Sequence, residues 1–233
     1  MKLQKSVVKQ ISIADYVTMI NAVCGFLSII FILENKIHLS FSLILLSIIF
    51  DGLDGIISRR TYHSDIGVHL DSMADLISMI FATSIFVYFS YFKNVYNNIF
   101  YYIFILILIF FILCGIIRLA SFYLNKNDKY FLGLPAPASA IILITLSYIN
   151  LNFYYMLLVL IITSFAMISS IHFLKPKIIM NAIASVLIVL VIIFGNSFNS
   201  IIIFIFLLNI LLYSIVGPIY LKIRYNNKLK KSK

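Results

Sequence analysis

Apolar residues in this chain come in long blocks, and each block stops at a short polar cluster. The blocks fall at roughly 13–33, 37–60, 66–92, 97–124, 134–150, 152–173, 177–194 and 199–221. Between them stand Glu34-Asn35-Lys36, Asn97-Asn98, the run from Asn125 to Lys129, Gly133-Leu134-Pro135, Asn150-Leu151-Asn152, Lys175-Pro176-Lys177 and Gly195-Asn196-Ser197. Such clusters of Asn, Gly, Pro and charge interrupt helices and form turns. A helix crosses the hydrocarbon core with about 20 apolar residues. The pattern therefore predicts an all-α fold, a polytopic transmembrane helical bundle of about eight spans. The start of the fifth span, after Pro135 and Pro137, is the least sharply marked. Residues 1–12 alternate Lys with Leu and Val and read as an interfacial amphipathic helix. Residues 13–221 form the transmembrane domain, and residues 222–233 form a basic tail.

Composition agrees with lipid as the main solvent. Hydrophobic residues make up 63% of the 233 residues and charged residues only 11%, whereas a soluble domain carries about 25% charged residues. The formal net charge is +10, but no separate basic domain exists to hold nucleic acid. With the N-terminus inside, all of the 18 Lys and Arg residues except Lys36 and Lys93 fall on the inner side. That asymmetry places both termini in the cytoplasm, and the basic C-terminal run either anchors the last span or meets anionic headgroups. Cys24 and Cys114 lie inside apolar blocks with no metal-binding or disulfide spacing. The first apolar stretch runs into Asp15 and Asn21 without a small-residue cleavage site, so it reads as a span and not as a signal peptide.

Of the chain's eight acidic residues, Asp51, Asp54, Asp65, Asp71 and Asp75 crowd into one 25-residue window. A carboxylate at membrane depth costs about 2.5–3.5 kcal/mol on insertion scales, and several together repel one another. At helical spacing, Asp51, Asp54, Gly55 and Ser58 share one face of the second span, with Arg59 at its edge. Gly67, Asp71 and Asp75 form one stripe of the third span. The connection between these spans is short, so they pack as antiparallel neighbours and their carboxylates can converge. Such clusters offer hard oxygen ligands suited to Mg2+, Mn2+ or Ca2+. Gly52, Gly55 and Gly67 fit close approach of a substrate to the backbone, or a seam of small residues between helices.

The string from Asp51 to Arg59, followed by Gly67, Asp71 and Asp75, resembles the signature of the CDP-alcohol phosphatidyltransferase family, D-x2-D-G-x2-A-R, a spacer, then G-x3-D-x3-D. Ser58 stands where the signature has Ala, and the spacer after Arg59 is slightly short. The resemblance implies that Asp51, Asp54, Asp71 and Asp75 bind two divalent cations, which would hold the pyrophosphate of a CDP-lipid. It implies Asp75 as the general base, a cytidine pocket lined by Gly55, Ser58 and Gly67 with Arg59 nearby, and a homodimer.

Three further segments are similar to the serine-transferring branch of that family, the phosphatidylserine synthases of Gram-positive bacteria and archaea. They are Asn21-x3-Gly25, Cys114-Gly115-x2-Arg118-Leu119-Ala120, and the segment from Phe131 through Gly133-Leu134-Pro135 to Ala138. On this basis Asn21 joins the CDP-lipid-binding residues, and Arg118 binds the acceptor or a phosphate. As plain residues, Asn21 could instead bond a neighbouring helix, and Arg118 could extend to the inner surface. His63, His69 and His172 show no ligand spacing. The implied reaction moves a phosphatidyl or archaetidyl group from CDP-diacylglycerol or CDP-archaeol to L-serine, giving CMP, in the cell membrane with the site facing the cytoplasm. Glycerol 3-phosphate or inositol phosphate as acceptor is the alternative within the family, and a divalent-cation transporter is the alternative outside it.

Overall fold

The computed structural model describes residues 11–59, 66–92, 98–122, 130–175, 178–195 and 201–231. Among them stand eight apolar helices at the places the sequence pattern marks. They are α1 (Ile13–Leu33), α2 (Ile37–Ser58), α3 (Gly67–Tyr91), α4 (Asn98–Phe122), α5 (Ala136–Tyr148), α6 (Phe153–Ile168), α7 (Ile178–Phe194) and α8 (Ile201–Lys231). Five of the eight, α1 to α4 and α8, are long and apolar enough to cross a bilayer. The protein is a multi-pass membrane protein with an all-α bundle architecture.

Local chemistry sets the helix ends. Ser12 is extended and accepts a hydrogen bond from the Asp15 backbone N–H, while its own N–H donates to the Asp15 carboxylate at 2.6 Å. That reciprocal pair is a capping box with Asp in the usual Glu place. The expected interfacial helix over 1–12 lies outside the described residues except for Ile11 and Ser12, which are not helical. Pro135 precedes α5, and Pro137 occupies its first turn, where a missing N–H costs nothing. Asn152 caps α6 by accepting from the Tyr154 N–H.

The core lies where α2, α3, α4, α5 and α6 meet. Phe41, Phe86, Phe104, Phe111, Leu143 and Met156 are fully buried there. Helix α5 is buried on every side from Ala138 to Ser147, as an all-round apolar helix must be. Its 13 residues span only about 20 Å at 1.5 Å per residue. Because protein encloses it, α5 does not have to match the bilayer thickness. By contrast α8 turns Ile201, Phe204, Ile205, Leu208, Leu212 and Ile215 outward.

Three features depart from the sequence-based expectation. The third helix is not uniform: Leu76–Phe81 is π-helical, between α-helical segments Gly67–Asp75 and Ala82–Tyr91. The last helix continues through Lys231 instead of ending near 221. Two three-residue strands, β1 (Tyr130–Leu132) and β2 (His172–Leu174), pair antiparallel with Phe131 opposite Phe173. Residues this polar-flanked carry too little alternation to signal strands.

The ribbon also sorts the connections between helices. It joins the α4–α5 and α6–α7 segments at one end of the bundle. At the other end, the Tyr91 hydroxyl donates to the Leu151 carbonyl at 2.6 Å, and His38 Nδ1 lies 3.0 Å from the Tyr148 hydroxyl. Gly133, just past β1, anchors the ribbon end: its N–H donates to Ile171 O, and the Leu134 N–H donates to Ala166 O, each at 2.8 Å. Its φ is +75°, and a Cβ there would meet Met167 O at 2.2 Å. Gly133→Ala should therefore cost about 1–3 kcal/mol, read as a lowered melting temperature of the purified protein in detergent.

Candidate cation and substrate site

The second and third helices bring their acidic faces together. One carboxylate oxygen from each of Asp51, Asp54 and Asp71 lies within 4.8 Å of the other two. Asp54 is buried, while Asp51 and Asp71 are half-buried. Asp75, one turn along α3 from Asp71, is also buried and lies within electrostatic reach of Asp51 and Asp71. This is the convergence expected from the two helical stripes. Hard oxygen donors at such spacing fit a divalent cation, and without positive charge their mutual repulsion in a poorly solvated place is costly.

Helix α1 supplies the braces. Thr18 Oγ1 lies 2.6 Å from Asp54 Oδ2 and 3.1 Å from Ala14 O. A hydroxyl has one proton to give, and the shorter approach to the carboxylate takes it. Asn21 Nδ2 donates to Asp75 Oδ1 at 3.1 Å. Asp15, already committed to the helix cap, lies within electrostatic reach of Asp54. Farther along, a Cβ on Gly25 would stand 2.5 Å from the Ser78 Cα, so only Gly lets α1 approach α3 so closely.

Sequence reasoning placed Asn21 with the CDP-lipid and assigned no role to Thr18 or Asp15. The signal was present: Asp15, Thr18, Asn21 and Gly25 lie on one stripe of α1 at helical spacing.

The glycines of α2 are resolved by their surroundings. Among the described residues, a Cβ on Gly52 or Gly55 would meet nothing within 4 Å. Neither one packs as a seam against another described helix, so among the described residues the backbone beside Asp51 and Asp54 has open ground before it. Ser58 Oγ donates to the Gly55 carbonyl at 3.3 Å, and Arg59 is exposed at the helix end. Gly67 is half-buried at the first turn of α3.

Arg118 is 6% exposed, and its Nε donates to the Leu134 carbonyl at 3.2 Å, beside Tyr213 of α8. It therefore reaches the Gly133-Leu134-Pro135 turn, the third segment singled out in the sequence. Tyr213 donates in turn to Leu174 O of β2 at 2.7 Å. His69 and His172 are exposed, and His172 packs edge-on against Tyr130; His63 and Asp65 lie outside the described residues.

Residues 11–174 match the CDP-alcohol phosphatidyltransferase family. The chain is 44% identical over 140 residues to the CDP-diacylglycerol–serine O-phosphatidyltransferase of Methanocaldococcus jannaschii, covering 60% of this chain and 62% of that protein. It is 35% identical over 177 residues to the archaetidylserine synthase of Methanothermobacter thermautotrophicus, covering 72% of each. Against the CDP-diacylglycerol–serine O-phosphatidyltransferase of Bacillus subtilis it is 32% identical over 134 residues, 57% of this chain and 73% of that protein. The match thus spans less than two thirds of the Methanocaldococcus protein.

A divalent cation that binds the folded cluster must stabilise the fold by mass action. Mn2+ or Mg2+ at saturating concentration should raise the melting temperature relative to EDTA. Asp51→Asn and Asp71→Asn should remove most of that increment.

Proposed function

This chain belongs to the CDP-alcohol phosphatidyltransferase family, and on that premise we propose that it transfers the phosphatidyl or archaetidyl group of a CDP-lipid to the hydroxyl of L-serine, releasing CMP. The observation that carries the reading is the site itself. Three carboxylates converge within 4.8 Å, a fourth is held by Asn21, and open backbone at Gly52 and Gly55 adjoins them. The names of the archaeal and Bacillus relatives support serine as acceptor.

Each residue then has a task. Asp51, Asp54, Asp71 and Asp75 hold divalent cations, two in number, with Mg2+, Mn2+ or Ca2+ matching the donors. Bound there, the cations supply positive charge to the pyrophosphate and to the departing CMP. Gly55, Ser58 and Gly67 line the place of the cytidine, with Arg59 at its rim. Arg118 binds the acceptor or a phosphate through its terminal nitrogens. Asp75 takes the proton of the serine hydroxyl as that oxygen bonds to the lipid-linked phosphorus. The bond from this phosphorus to the bridging oxygen breaks, and CMP leaves with that oxygen. A carboxylate is a weak base towards an alcohol, so the proton moves late, as the new bond forms.

The sidedness follows from the loop charges: the site faces the cytoplasm of a cell membrane, in a chain that works as a homodimer. A cation transporter would need carboxylates along a path through the bilayer. Spans α4 to α8 contain none, which counts against it. Glycerol 3-phosphate or inositol phosphate would bring an extra phosphate that calls for several basic residues, whereas Arg118 is the one deep cation the sequence offers apart from Arg59.

With CDP-diacylglycerol or CDP-archaeol in detergent, CMP release should follow L-serine and not glycerol 3-phosphate or inositol phosphate, and EDTA should stop it. Asp75→Asn should lower kcat by at least about 10²-fold, the usual scale of a lost general base. Serine-independent CMP release, or wild-type turnover in Asp75→Asn, would remove the respective assignment.

A further inference from the structure

The Asn21 side chain is 0% exposed, and only half of its amide is used. Nδ2 donates to Asp75 Oδ1, while Oδ1 accepts no hydrogen bond among the described residues. Nδ2 is the end of the amide that faces Asp75 Oδ1, at 3.1 Å, so the carbonyl oxygen is the end left without a donor among the described residues. A buried acceptor left without a donor is costly, and native proteins rarely leave one so. This oxygen lies beside the carboxylate proposed to take the acceptor's proton.

Resting on the serine reading above, we infer that Asn21 has two roles in one side chain. Its Nδ2 is a positioning group that holds Asp75 for proton transfer, and its Oδ1 receives the ammonium of the acceptor. The chemistry of the acceptor matches this placement. Serine carries its hydroxyl and ammonium on adjacent carbons, so a molecule giving its hydroxyl proton to Asp75 brings its ammonium next to the neighbouring amide oxygen. An ammonium offers three donors and a positive charge, in a site lined with carboxylates. An acceptor lacking that group leaves Oδ1 unpaired, which is a strong way to reject it. Asn21 is then a specificity-determining residue for amino alcohols and does not belong to the nucleotide pocket.

The two roles separate in two variants of the full chain, assayed with L-serine and CDP-lipid varied independently. Asn21→Ala loses both groups. Its KM for serine should rise about tenfold or more, the scale of one hydrogen bond to a charged group, while its KM for CDP-lipid stays within about twofold of wild type. The preference for serine over 3-hydroxypropanoate, which is serine without its amino group, should collapse. Asn21→Asp keeps an acceptor oxygen and loses the donor, so kcat should fall while the serine KM does not rise.

A rise in the CDP-lipid KM of Asn21→Ala in place of the serine KM would assign Asn21 to the nucleotide and overturn the inference. So would a fall in kcat alone, with discrimination against 3-hydroxypropanoate intact. If Asn21→Ala does not fold, loss of serine binding in Asn21→Asp, read by calorimetry, overturns it as well. Failure of the wild-type chain to use serine defeats the serine reading itself, whereas an active wild type with unchanged serine KM in Asn21→Ala defeats this inference alone.

Discussion

Negative charge crowded at the end of two apolar helices is the constraint to which the rest of this bundle responds. Asp51, Asp54 and Asp71 hold their oxygens within 4.8 Å of one another, in surroundings where unpaired charge is expensive. Two things make such a cluster tolerable: hydrogen-bond donors built into the protein, and positive charge brought in from outside. The protein supplies the first from helix α1. Thr18 serves Asp54, and Asn21 serves Asp75. A cation among the converging oxygens of Asp51, Asp54 and Asp71 would supply the second.

The braces explain why α1 packs so tightly against the acidic helices. Its capping box sets where the helix begins, and that start fixes the height at which Thr18 and Asn21 meet their partners. Gly25 then allows contact with the backbone of α3 at Ser78. Local chain chemistry, helix packing and the site are thus linked along a single stripe of one helix. Elsewhere in the bundle, Arg118 ties α4 to the turn before α5, and Tyr213 ties α8 to β2. The helices outside the acidic pair hold the end of the bundle that contains the site.

Much of this was legible before any coordinates. Block length marked the eight helices, because an apolar run has few other stable states in lipid. The spacing of Asp51 with Asp54 and of Asp71 with Asp75 marked the convergent faces, because helical periodicity alone decides which residues share a side. Other features were hidden for identifiable reasons. Thr18 and Asp15 look ordinary until the neighbour that each one faces is known. The strands depend on two segments some forty positions apart, which no local pattern reports. The destination of the Arg118 side chain, at Leu134 O, is a tertiary choice between two directions that spacing left open. Whether Gly52 and Gly55 packed a seam or faced open ground was likewise undecided until their surroundings were seen.

The π-helical segment Leu76–Phe81 follows directly after Asp75. A turn closed by i→i+5 bonds advances less per residue than an α turn, so everything beyond it lags by about one residue of rotation, near 100°. Counted as plain α-helix, the buried residues Thr83, Val87 and Tyr91 would face well away from the side that carries Asp71 and Asp75. The lag brings both sets to the same side of the helix. The third helix is in effect two helices of different phase spliced end to end, and the splice lets one rod serve an acidic site below and an apolar core above.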